Sequence, residues 1–157
     1  MSCNAPKGYS IRKGEIYRLP YDLDGFPTEA RSGNRGETHY FIVLSHFGYN
    51  SKFSKNSFLA VGLASDQKWP YSELLIPMDH FDNWDSAVSE RGYYNLFYRA
   101  SEVYFQSDKV VRLCQKDIEG IERLGKDHPT LSLSTVGLNK VIDRVTLFLK
   151  MTNDDPN

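Results

Sequence analysis

The chain has 157 residues and a formal net charge of -1, with 40% hydrophobic and 13% aromatic residues. This length fits one domain, and the near-neutral charge excludes a general attraction to nucleic acid or anionic membranes, so any polyanion site requires a local cluster of Lys and Arg. No apolar stretch reaches the ~18 residues of a membrane span and the N-terminus lacks the apolar segment of a signal peptide, which predicts a cytoplasmic protein.

The two cysteines, Cys3 and Cys114, lie far apart in the sequence. They form no CxxC pair and have no zinc-type spacing to a His, so we predict neither a metal site nor a cofactor. We expect a single domain over residues 1–157, with its barrel and helices at about 13–150. The polar ends, residues 1–10 and 151–157, are predicted to be flexible.

Five strand-like stretches follow in chain order, which predicts a β-rich α+β fold built on a small barrel. They are GEIYRLP from Gly14, YFIVLS from Tyr40, SFLAVGLAS from Ser57, SELLIPM from Ser72 and SEVYFQSDKVVRL from Ser101. The second and third are nearly continuous apolar runs, which favours central strands with both faces covered. The first and last alternate between apolar and polar residues, which predicts strands with one buried face.

Helical patterns lie in the second half of the chain. The aromatic-rich residues 79–99 are predicted to include a helical turn, and KDIEGIERLGK a short helix that begins at Asp117 and ends at Gly125. The segment LSLSTVGLNKVIDRVTLFLK predicts a longer amphipathic helix, capped by Ser132 or Ser134. Its core stripe is predicted to comprise Leu138, Val141, Ile142, Val145, Phe148 and Leu149.

A candidate site is expected where the loop of residues 21–38 enters the second strand and where the third strand ends in ASDQK. Polar side chains at strand ends beside a long loop often form a site, whereas the common nucleotide, zinc-protease and hydrolase motifs are missing. The residues alone leave open whether His39 is a catalyst or a solvated strand-end residue. The candidate side chains are Arg31, Arg35, Thr38, His39, Ser65, Gln67 and Lys68.

The opening GEI at residues 14–16 and the block VLSHFGYN at residues 43–50 resemble the MazF/PemK family of toxin endoribonucleases. That family begins with a G-D/E-I strand, and after a loop it has a strand resembling R-P-x-x-V-L-S, followed by a turn resembling F-x-Y-N. The resemblance covers about residues 13–149 and is most specific in VLSHFGYN. It implies an SH3-like barrel of five to seven strands, a homodimer, and an RNA groove that the disordered acidic tail of a cognate antitoxin can block.

The resemblance also implies metal-independent RNA cleavage, in which the ribose 2′-hydroxyl attacks the adjacent phosphate. The sequence departs from the family at His39-Tyr40, where the family has Arg-Pro, and at Ala64, where it has Thr. A His side chain has an unperturbed pKa near 6.5 and can act as base or acid at neutral pH. We therefore assign the role of base or acid to His39 and the phosphate contact to Arg35. Ser65 is assigned as a hydrogen-bond donor. Substrate binding is assigned to Arg31, Thr38, Gln67 and Lys68.

Two functions follow from these substitutions. The first is a toxin of a type II toxin–antitoxin system that cleaves single-stranded RNA and inhibits translation or growth. The second is an inactive relative that binds an antitoxin-like peptide, RNA or another protein through the same groove, since a fold does not guarantee its activity. An unrelated small barrel, including one that acts on DNA or on a topoisomerase, is a third alternative.

Overall fold

The computed structural model describes residues 11–19, 21–22, 39–46, 57–64, 74–91, 102–114 and 131–151. Five strands lie in these ranges: β1 (Ile16–Leu19), β2 (His39–Val43), β3 (Ser57–Ala64), β4 (Leu74–Pro77) and β5 (Glu102–Cys114). Each one falls within or beside a predicted strand, so all five strand predictions are confirmed. The other elements are a 3₁₀ turn (Met78–His80), α1 (Trp84–Arg91) and α2 (Thr135–Lys150).

The five strands form one antiparallel sheet in the order β1-β2-β3-β5-β4. The two apolar runs, β2 and β3, lie inside the sheet as predicted, and Tyr40 pairs with Leu63 where they meet. The side chain of Ser45 extends this pairing beyond β2, because its Oγ accepts a hydrogen bond from the Leu59 amide at 2.9 Å. The VLS segment of the family-like block therefore serves the scaffold.

Both faces of the sheet are buried, which corrects the prediction that β1 has one buried face. Ile16 packs in a cluster with Ile42 and Val61 on one face. Its neighbour Tyr17 packs with Phe41 in a second cluster on the opposite face. Because successive strand residues point to opposite faces, two adjacent buried residues require cover on both sides. The alternation in β1 was misleading since only Arg18 is exposed in this strand.

A short extended segment, residues 131–133, connects the two ends of the sheet through backbone hydrogen bonds. On one side the Leu133 amide donates to the Gly14 carbonyl at 2.9 Å, and on the other the Asp82 amide donates to the Ser132 carbonyl at 3.0 Å. Gly14 has a φ of 89° at this contact, a conformation that a residue with a Cβ rarely adopts. The glycine of the predicted GEI opening therefore allows the turn into β1.

The C-terminal helix α2 begins where one of the two predicted caps places it. Ser134 is the N-cap, and its side chain accepts a hydrogen bond from the Gly137 amide at 3.2 Å. Val141 and Val145 are buried in the stripe as predicted. The prediction is wrong for Leu149, which is 69% exposed. Leu149 lies in the last turn of the helix, beyond the helix residues that are buried in the core.

The helical turn predicted in residues 79–99 is confirmed as α1. The short helix predicted between Asp117 and Gly125 lies outside the described residues, as do most of the loop of residues 21–38 and the two ends of the chain. Within the described ranges, neither helix combines the length and apolarity that a membrane crossing needs.

Replacing Ser134 with alanine is expected to lower the free energy of unfolding by about 1 kcal/mol, because the Gly137 amide loses its acceptor at the helix N-terminus. Urea titration followed by circular dichroism measures this change. The Ser134→Asp variant keeps an acceptor oxygen and should stay within about 0.5 kcal/mol of the unsubstituted chain. Equal losses in both variants would contradict the capping role.

Candidate functional site

His39 is the first residue of β2 and is half-buried. It pairs with Leu19 of β1, so it occupies the start of an inner strand rather than a free loop. Leu19 and Phe41 belong to the second core cluster, and the same sheet face holds the register position of His39. The packed strands therefore restrict the backbone that carries this imidazole.

One nitrogen of the His39 ring has a defined partner. The Nδ1 atom lies 2.8 Å from the carbonyl oxygen of Tyr21, which belongs to the segment that follows β1. A carbonyl oxygen only accepts hydrogen bonds, so Nδ1 must carry the hydrogen and donate it. In the neutral ring, Nε2 then has the lone pair that can accept a proton. A backbone carbonyl often orients catalytic or metal-binding histidines in this way.

The end of β3 lies next to the start of β2. Residues 65–68 of the ASDQK segment lie outside the described ranges. The β2–β3 register pairs Tyr40 with Leu63, and continuing it by one residue places the Ala64 backbone opposite His39. The chain therefore leaves β3 next to the imidazole-bearing end of β2. Ser65 is not described, so its expected proximity to His39 stays a prediction.

The other predicted site residues lie outside the described ranges. They are Arg31, Arg35, Thr38, Ser65, Gln67 and Lys68. Arg18 is an exposed cation in β1, and it pairs with Tyr40, one residue along from His39. Alternate strand residues point to opposite faces, so Arg18 and His39 do not share a face. The phosphate contact is thus still assigned to the loop arginines.

Another histidine, His80, lies near a carboxylate, and the contact to His39 comes from a residue that the sequence did not indicate. The His80 side chain is 15% exposed, and its Nε2 lies 3.9 Å from Asp79 Oδ1. The sequence reasoning missed Tyr21, because its contribution is a backbone carbonyl that every residue type possesses. No group of three His, Cys, Asp or Glu in the described part of the chain is arranged to hold a metal ion.

The fold resembles solved structures of bacterial endoribonucleases. One is an endoribonuclease in complex with its cognate antitoxin from a mycobacterial species, which has a TM-score of 0.53 and 11% identity and covers 91% of this chain and 98% of that one. Another is the MazE–MazF structure from Deinococcus radiodurans, with a TM-score of 0.53, 16% identity, and coverage of 92% and 100%.

The chain has a MazF-like fold. The structure of MazF alone from Deinococcus radiodurans agrees, with a TM-score of 0.52, 15% identity, and coverage of 91% and 99%. No protein-family model and no curated protein sequence matches the chain. The MazF-like resemblance expected from GEI and VLSHFGYN is therefore confirmed at the level of the fold. At these identities the likeness extends to the backbone and leaves the chemistry to this chain's own residues.

Proposed function

We propose that the chain is a toxin of a type II toxin–antitoxin system that cleaves single-stranded RNA without a metal ion. The observation that carries the proposal is the 2.8 Å contact between His39 Nδ1 and the Tyr21 carbonyl on a MazF-like fold. This contact holds an imidazole at the start of β2 with Nε2 as its basic atom. The substituted family position thus carries a group suited to proton transfer.

The reaction that fits this group is an attack of the ribose 2′-hydroxyl on its own 3′-phosphate. Nε2 of His39 accepts the hydroxyl proton as the 2′-oxygen forms a bond to phosphorus. The bond from phosphorus to the 5′-oxygen of the next nucleotide breaks, and that oxygen takes up a proton from water. The products are a 2′,3′-cyclic phosphate and a 5′-hydroxyl. Arg35 is assigned to the phosphate charge and Ser65 to a hydrogen bond with a phosphate oxygen.

Substrate binding is assigned to Arg31, Thr38, Gln67 and Lys68, which flank β2 and β3 in the sequence. We extend the fold to an SH3-like barrel, because residues 131–133 bond to Gly14 and Ile16 at one edge strand and to Asp82 after the other. A homodimer, a cytoplasmic location, and inhibition of translation or growth belong to the same proposal. A disordered acidic tail of a cognate antitoxin would bind in the RNA groove and block it.

The test incubates the purified protein with a long single-stranded RNA of mixed sequence in EDTA. We expect cleavage that leaves 2′,3′-cyclic phosphate and 5′-hydroxyl ends, since chelation removes no reacting group. Once a cleavage site is mapped, an oligonucleotide that contains this site is made with one 2′-deoxy substitution before the bond that breaks. It should stay intact, because it lacks the nucleophile.

Three results would contradict the proposal in different ways. Cleavage of the 2′-deoxy oligonucleotide would overturn the 2′-hydroxyl mechanism. Loss of activity in EDTA, restored by a divalent cation, would overturn metal independence. RNA binding without cleavage would instead support the alternative function, an inactive MazF-like protein that binds RNA or a peptide through the same groove.

A further inference from the structure

A cleft of about 470 Å³ opens on the segment that joins β4 to α1. Its apolar lining comes from Met78, Phe81 and Trp84, and its carboxylates come from Asp79, Asp82 and Asp85. No Lys or Arg is among the described residues that line it. The cleft is separate from His39, because β3 and β5 lie between β4 and β2 in the sheet.

The apolar wall of the cleft is anchored in the protein core. Phe81 is buried in the first core cluster, and its ring centroid lies 5.0 Å from that of the half-buried Trp84, with the planes tilted by 58°. Tilted pairs at this distance are favourable for aromatic rings. Met78 lies at the outer edge and is 51% exposed. A ligand therefore meets a fixed indole beside a flexible thioether.

The carboxylates give this apolar wall a negative rim. Asp79 is 81% exposed, and its Oδ1 lies 3.9 Å from His80 Nε2. Asp82 and Asp85 are exposed as well. Asp85 lies in the first turn of α1, where a carboxylate also stabilises the helix dipole. Asp82 lies outside both helices, so the dipole does not account for it.

Metal binding does not explain this arrangement. No three acidic or imidazole groups within the described ranges are close enough to share an ion. Carboxylates that are spread around an aromatic wall match a larger cation, whose charge is delocalised and whose stem is apolar. Arg fits better than Lys, because its planar guanidinium stacks on an indole and its five donors can reach separate carboxylates.

We propose that this cleft binds an arginine side chain of a partner polypeptide. The guanidinium stacks on Trp84 and donates hydrogen bonds to Asp79 and Asp82, while the methylene stem packs against Met78. The site is independent of RNA cleavage, so it gives the chain a second surface with the opposite charge preference from an RNA groove.

The probes are the peptide N-acetyl-Leu-Arg-Leu-amide and its citrulline analogue, which keeps the shape of the side chain but has no charge. Binding to the full chain is followed by ¹H–¹⁵N NMR. We expect saturable shifts at residues 78–86, and an affinity for the arginine peptide at least about tenfold above that for the citrulline peptide.

The Asp79→Asn, Asp82→Asn double variant tests the rim without changing side-chain volume or a helix cap. It should weaken binding of the arginine peptide at least about fivefold, whereas Asp143→Asn on the exposed face of α2 should change it less than about twofold. Any of four results would overturn the proposal. They are equal affinities for the two peptides, equal effects of the two variants, NMR shifts only elsewhere in the chain, and no binding up to about 10 mM.

Discussion

Replacing His39 with alanine is expected to lower the single-turnover rate of RNA cleavage by about 10²–10⁴-fold, the usual contribution of a positioned general base or acid. The Tyr21 carbonyl fixes Nδ1 as the donor, so the substitution removes the Nε2 lone pair that would accept the 2′-hydroxyl proton. RNA affinity should change less than about threefold, because the proposal assigns the phosphate contacts to Arg35 and Arg31 and not to His39. Quenched-flow cleavage and fluorescence anisotropy measure the two quantities separately.

Two further variants distinguish chemistry from structure. His39→Asn can still donate an amide hydrogen to the Tyr21 carbonyl, yet it has no basic nitrogen, so it should be as slow as the alanine variant. His46 is an exposed histidine just beyond the other end of β2, and His46→Ala should keep the rate within about threefold. His39→Asn controls for the position of His39, and His46→Ala controls for the loss of a histidine elsewhere in the chain.

Cleavage that proceeds at full rate in both His39→Ala and His39→Asn would exclude His39 from the reaction. It would leave the 2′-hydroxyl mechanism standing if the 2′-deoxy substrate is still resistant.

Replacing Gly137 with alanine is expected to lower the free energy of unfolding by about 2 kcal/mol, although alanine is the better helix former. A Cβ at this position would lie 2.7 Å from the His80 carbonyl oxygen and 2.9 Å from the His80 Cβ. That carbonyl accepts the Ser134 amide at 2.7 Å, so the helix cannot move away without losing this bond. The steric cost therefore exceeds the gain of about 1 kcal/mol in helix propensity.

Asn139→Ala is the matched control, since Asn139 lies exposed two residues further along the same helix. It should leave stability unchanged or raise it by up to about 0.7 kcal/mol through helix propensity alone. Thermal and urea unfolding of both variants measure the difference. A Gly137→Ala chain as stable as the Asn139→Ala chain would contradict the close approach of α2 to the 3₁₀ turn.

The strands and the start of α2 could be predicted from the sequence because their signals are local. Apolar runs identified β2 and β3 as inner strands. Two serines, Ser132 and Ser134, indicated where α2 begins, and Ser134 caps the helix through the Gly137 amide. Local patterns were insufficient for β1 and Leu149. Which faces are covered depends on segments distant in the chain, and the cover over β1 and its absence over Leu149 both arise from tertiary packing.

His39 was recognised as a candidate from its position after a long loop and before an apolar strand. Nothing in that pattern indicated which ring nitrogen would be the base. The answer depends on the Tyr21 carbonyl, 18 residues earlier, which approaches only because β1 and β2 pair in one register. The cleft at Trp84 is likewise a tertiary feature, since Phe81 must be held in the core before the indole can stand beside it.

The sequence by itself determined the β-rich composition, the positions of the strands, the region where α2 begins and the resemblance of two short blocks to MazF-like toxins. These properties depend on residue type and on spacings of a few residues. Only the tertiary structure decided the orientation of His39, the cover on both faces of β1 and the requirement for glycine at position 137. Each of these depends on contacts between residues far apart in the chain, whose geometry the packing of the whole domain sets.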